Sequence, residues 1–169
     1  TVDSAMKLFG EDLKGRDFKN GEKMFSAGRC VACHRFGGNG GYSGPDLGSV
    51  GNRCSIRDIL VAICEPSQSI SEQYQASTVT LKDGKSLYGR VIYKNGKEVA
   101  LAQNPYNFGE ITKVSIDKVK KVELSQVSMM PPGTIFPMSA DELKDLMAYL
   151  ISGGDRKHKV FKEKAKGVK

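Results

Sequence analysis

The chain has 169 residues, 39% of them hydrophobic and 27% charged, with a net charge of +7. That length bounds one domain, or one domain with a small insert, and is enough to bury a core. No apolar run approaches the roughly 20 residues of a membrane-spanning helix, and the opening T-V-D-S-A-M-K is no signal peptide, so an exported protein is expected to have its leader absent from this chain, or the chain to be a piece of a longer one.

In chain order, the first helix is expected at roughly 4–13, with Ala5, Met6, Phe9 and Leu13 on one face. A second is predicted over 18–27, capped by Asp17 and ended by Gly28, with Phe18, Met24 and Phe25 apolar. Then comes C-V-A-C-H-R-F at 30–36, followed by a loop with glycine at seven of the fifteen positions 37–51. A third helix starts at the Ser55 cap, where Asp58 completes a capping box. Ile56, Ile59, Leu60, Ile63 and Cys64 form its stripe, and Pro66 ends it.

Residues 76–124 change character. β-Branched residues are frequent, and Asp83-Gly84 and Asn95-Gly96 sit between runs that read as strands: A-S-T-V-T-L-K, S-L-Y-G-R-V-I-Y and E-V-A-L-A. Two more strands are expected near Ile111–Ile116 and Val119–Leu124. A fourth helix is predicted from the Ser139 cap, with Glu142 in its capping box, through Leu143, Leu146, Met147 and Leu150 to Gly153. Charge follows these divisions, with zero net over 1–74, +4 over 75–125, −2 over 126–154 and +5 over 155–169. The tail D-R-K-H-K-V-F-K-E-K-A-K-G-V-K reads as a solvated end. A nucleic-acid module built on the basic strands is disfavoured, since no cluster of exposed aromatics interleaves with its lysines.

C-V-A-C-H is the attachment signature of c-type haem. Cys30 and Cys33 can form thioethers to the two vinyl groups, and His34, beside the second anchor, can reach the iron. Structural zinc needs four donors, whereas the remaining Cys54, Cys64 and His158 are not spaced to complete such a set. A thioredoxin-like pair would open a helix after a strand, and this pair follows a helix. One covalently attached haem c is therefore expected. Methionine is the expected second ligand because its thioether raises the potential. Met6, Met24 and Met147 fall on helix faces, and Met138 can staple onto Leu143. S-M-M-P-P-G leaves Met130, beside Pro131, as the choice and Met129 as its rival. The Pro45 carbonyl can accept from the His34 nitrogen that does not face iron, and Arg53 can pair with a haem propionate.

With these residues assembled, the chain resembles a known family, carried by C-V-A-C-H-R-F-G-G-N-G-G-Y-S-G-P-D-L, D-I-L-V-A-I-C-E-P-S-Q-S-I-S-E-Q-Y, K-D-G-K-S-L-Y-G-R-V, S-M-M-P-P-G and D-E-L-K-D-L-M-A-Y-L-I-S-G-G-D. It is similar to the c-type cytochrome haem-binding domain of planctomycete and verrucomicrobial proteins, often the C-terminal module of large dehydrogenase-like chains. The resemblance spans about 16–161. It implies a mainly α fold of the class I cytochrome c type, with a small antiparallel sheet or barrel, SH3- or Sm-like, inserted between the third helix and the methionine loop. It also implies crossed terminal helices with Gly21, Phe25 and Tyr149 in contact. Thr134 departs from the leucine the family favours after the glycine of that loop. Three divisions are expected: 1–15 as an N-terminal helix or the end of an upstream region, 16–154 as the cytochrome domain with its insert at about 76–124, and 155–169 as a basic tail. Cys54 and Cys64, about 15 Å apart if helical, cannot bridge and read as buried thiols.

The functional expectation is a periplasmic one-electron carrier, not an enzyme. Its partner would be a redox protein or a fused dehydrogenase domain, without nucleic acid or a membrane span. The alternative is a haem sensor or peroxidase-like enzyme whose sixth ligand is labile or absent.

Overall fold

The computed structural model describes residues 1–9 and 13–162. Helix α1 (Val2–Phe9) begins two residues earlier than its apolar pattern suggests, and the 10–12 part of that expected helix lies outside the described residues. Val2, Ala5, Phe9 and Leu13 are buried, so α1 packs into the main core. Helix α2 (Phe18–Ala27) starts where expected, because Asp17 accepts the backbone N–H of Asn20. A one-turn helix α3 (Cys30–Cys33), a two-residue hairpin β1 (Arg35–Phe36) and β2 (Asn39–Gly40), and a one-turn helix α4 (Val50–Arg53) follow. None of these four was expected, since elements of two to four residues carry no periodicity.

Helix α5 (Ile56–Cys64) and helix α6 (Ala140–Ile151) both begin with complete capping boxes, Ser55 with Asp58 and Ser139 with Glu142. Helices α2 and α6 cross closely. A Cβ on Gly21 would lie 2.4 Å from the Asp145 carbonyl oxygen and 2.7 Å from the Tyr149 Cβ, so only glycine fits. Around that crossing Phe18, Phe25 and Phe36 surround Tyr149, with ring centroids 5.1, 5.9 and 4.8 Å from it. Met24 and Met147 are core residues, as their helix positions suggest.

Between α5 and α6 lies a five-stranded antiparallel sheet of β3 (Ser77–Leu81), β4 (Ser86–Lys94), β5 (Glu98–Ala102), β6 (Ile111–Ser115) and β7 (Val119–Leu124), in the order β6-β5-β4-β3-β7. The edge strands β6 and β7 are joined by only the 3-10 turn Ile116–Lys118. The sheet must therefore curl until its edges approach at that end, helped by register shifts at Thr80/Leu81 and between Val91 and Tyr93. Its concave side closes over Val79, Val99, Leu101 and Val114.

The chain is 35% helix and 21% strand, which overturns the mainly α expectation. The helices are short and the strands fill a large share of the chain, so the class is α with β in comparable parts. The basic tail also differs from its reading. Val160 is buried, Phe161 stands edge-on to Phe18 at 5.2 Å, and the Arg156 guanidinium lies 4.7 Å over the same ring. Residues 155–162 thus dock on α2, and 163–169 lie outside the described residues. No helix among the described residues is long and apolar enough to cross a membrane.

Candidate functional site

Helix α2 ends at Gly28, where a Cβ would stand 3.1 Å from the Met138 methyl and 3.4 Å from the Cys30 sulfur. Arg29 then takes a left-handed φ of 59°, the one non-glycine residue to do so among the described residues. That conformation costs on the order of 1 kcal/mol, and it turns the chain so that Cys30 opens α3. Two residues past His34, the Phe36 ring sinks into the aromatic cluster, 5.3 Å from Phe25. The attachment segment is thus pinned at both ends, while Cys30, Val31, Cys33 and His34 stay half-buried and Ala32 is exposed.

The glycine-rich loop wraps this segment. A Cβ at Gly41 would fall 2.1 Å from the Ala32 carbonyl oxygen, and one at Gly40 would fall 2.2 Å from that of His34. At Gly44 a Cβ would strike the His34 ring at 2.7 Å. These glycines let the backbone approach the peptide and the imidazole.

The His34 Nδ1 lies 2.9 Å from the Pro45 carbonyl oxygen. A carbonyl only accepts, so Nδ1 carries the proton and Nε2 presents its lone pair. Burial, which favours the neutral ring, holds the His34 pKa below its ordinary value against the opposing Pro45 bond. Burial, helped by the neighbouring Cys33, pushes the Cys30 thiol up to about 11, so it is protonated at neutral pH. The Cys33 Sγ lies 3.4 Å from the Pro105 carbonyl oxygen.

The structure thus brings Cys30, Cys33, His34 and Pro45 together. Arg53 ends α4 at an exposed position, and its side chain makes no hydrogen bond or ion pair with another described residue. Met130 is half-buried against the main core, with its N–H donating to Ser128 Oγ at 3.1 Å. Met129 is half-buried without belonging to that cluster. Met138 lies with its methyl over Gly28 beside Cys30, a neighbour of the site that the expected staple onto Leu143 did not anticipate. Cys54 and Cys64 are half-exposed free thiols, not buried ones.

Two residues that the sequence reading missed complete the setting. Asp145, buried in α6, accepts from the Asp17 N–H at 3.1 Å and Asn20 Nδ2 at 2.8 Å and faces Arg16 at 3.6 Å, tying the start of α2 to α6. Pro105, far along the sheet, stands against Cys33. Only the first had a sequence signal, an acidic residue on the apolar side of a helix.

The residues present fit a c-type haem. Two thiols one helical turn apart, an imidazole with one free lone pair, and a glycine cradle against that imidazole form the donor set. Leu47, Val50, Met130 and Met138 stand half-covered at the core's margin. The buried Thr134 hydroxyl in the Met130 loop has no hydrogen-bond partner among the described residues. A group with a polar edge and an apolar body suits such a margin.

The family model for cytochrome c matches residues 18–84, well under half of the chain. The match begins with α2 and stops at the Asp83-Gly84 turn, so the methionine loop and α6 lie outside it. A search of the curated proteins finds no match. Over the matched residues the finding supports a c-type cytochrome domain, whose cofactor is iron-bearing haem c, covalently attached.

Proposed function

We propose that this chain is a monohaem cytochrome that carries one electron at a time, with Cys30 and Cys33 as thioether anchors and His34 and Met130 as axial ligands. The observation that carries this reading is the His34 ring, held by Pro45 so that Nε2 is its one free lone pair. When bound, the haem iron supplies the ferric–ferrous couple. His34 fixes its own orientation through Pro45, and Gly44 leaves the ring the room that a side chain there would take. Met130 has support from its contact with the main core and from its anchored N–H, while Pro131 and Pro132 stiffen the loop that presents it. A neutral thioether favours the ferrous state and so raises the potential.

With His34 and Met130 both holding the iron, no position would be open to substrate, and the protein would contribute potential and docking without bond chemistry. The partner in this reading is a redox protein or a fused dehydrogenase domain, as the resemblance to the planctomycete and verrucomicrobial modules implies. In this reading the protein works in the periplasm, the compartment that attachment chemistry of this kind implies. Arg53 is available to a propionate.

Absorption spectra of the oxidised and reduced protein test the ligands. The weak far-red band of methionine-ligated ferric haem should be present, lost in Met130→Ala and kept in Met129→Ala. Ferrous protein that binds carbon monoxide readily at neutral pH would overturn the closed site in favour of a sensor or a peroxidase-like enzyme.

A further inference from the structure

The curled sheet reaches the C-V-A-C-H segment through residues 103–110, the loop between β5 and β6, and through Arg90 of β4. The Pro105 carbonyl oxygen accepts from Ser43 Oγ at 2.8 Å and lies 3.4 Å from the Cys33 sulfur. Arg90 Nη1 donates to the Ser43 carbonyl at 2.8 Å. The same guanidinium lies 3.9 Å over the Phe108 ring, and Phe108 meets Tyr42 edge-on at 5.9 Å. On the other flank the Arg29 guanidinium sits 5.4 Å over Tyr106. The loop is therefore fastened on both sides of the attachment segment, by Arg29, Tyr42 and Ser43 from far along the chain and by Arg90 from within the sheet.

The vinyl groups that take up cysteine sulfur lie on the rim of a porphyrin, so whatever packs on the Cys33 sulfur packs on that rim. We infer that loop 103–110 walls the cofactor's rim at Cys33 and that Arg90 is the positioning residue holding the wall. This rests on the attachment proposed above. When Cys33 becomes a thioether its sulfur no longer donates, and the Ser43 hydroxyl still satisfies the Pro105 carbonyl. The wall excludes water from the rim, which disfavours the more highly charged ferric state and raises the potential. It also keeps small oxidants from that edge. The sheet thereby governs access to the haem although it supplies no ligand.

Nuclear magnetic resonance of the ferrous holoprotein should show cross-peaks between the thioether methyl at Cys33 and protons of Pro105 or Phe108. Arg90→Ala should lose them, lower the potential and speed oxidation by ferricyanide severalfold. Removing a positive charge alone would slow an anionic oxidant, so the sign separates release of the wall from electrostatics. Arg90→Lys keeps the charge but loses the fork and the ring stack, and it should behave like Arg90→Ala. Ser43→Ala, outside the sheet, should give the same directions more weakly without touching the sheet's fold. Colourless protein would overturn both the attachment and the wall. Haem-bearing wild type without the cross-peaks, or variants with unchanged potential and rate, would overturn the wall alone.

Discussion

The helical region and the curled sheet complete their interiors differently. The sheet closes on itself: Val79, Val99 and Leu101 are fully buried, and Val114 nearly so. The helical region buries a larger cluster but leaves Cys30, Leu47, Val50, Met130 and Met138 half-covered along one margin. One region is finished by its own side chains, whereas the other offers apolar and sulfur-bearing surface to a group it must bind. The proposed haem site therefore belongs to the helices, and in that reading the sheet acts on it only from outside, through a loop.

The largest expected effect breaks the helical region alone. Gly21→Ala forces a methyl into the Asp145 carbonyl and Tyr149 at the α2–α6 crossing, costing about 3 kcal/mol. The thermal midpoint should fall by about 10 °C, with amide exchange in β3–β5 changed much less. Uniform loosening of both regions would show that they fold as one unit. The mirror experiment is Leu101→Ala, which opens a cavity in the sheet and should cost about 3 kcal/mol. Visible absorption at the haem should stay unchanged, and altered axial-ligand bands would break the separation from the other side.

Asp145→Ala should have a smaller effect, about 2 kcal/mol. It removes the acceptor for the Asp17 N–H and Asn20, and denaturant unfolding followed at the haem should register it. The smallest effect concerns the α5 cap. Hydrogen bonds from Ser55 hold the Asp58 carboxyl below its ordinary 3.8. Its stabilisation is complete above that value and is lost as pH falls through the lower folded value. Amide exchange at the start of α5 should quicken in acid, and Asp58→Ala should flatten that dependence.

Much of the frame was readable from local pattern. Asp17, Ser55 and Ser139 announce helix starts because a cap is satisfied within three residues. Asp83-Gly84 announces a hairpin, where Gly84 adopts a φ of +91°. Cys30, Cys33 and His34 needed no fold to be noticed, since attachment chemistry lives in five consecutive positions. The mainly α expectation failed because it followed the resemblance to a helical fold, whereas the strands that the turns announced fill 21% of the chain beside only 35% helix.

The amino-acid sequence by itself determined the caps, the turns and the sulfur–imidazole set, all of which depend on neighbours a few residues away. Only the tertiary structure decided that Phe36 anchors the attachment segment, that residues 155–162 dock on Phe18, and that Pro105 stands over Cys33. These contacts join residues tens of positions apart. They exist because burial and close packing favour whichever distant surfaces fit, and fit is a property of folded shape that no window of sequence carries.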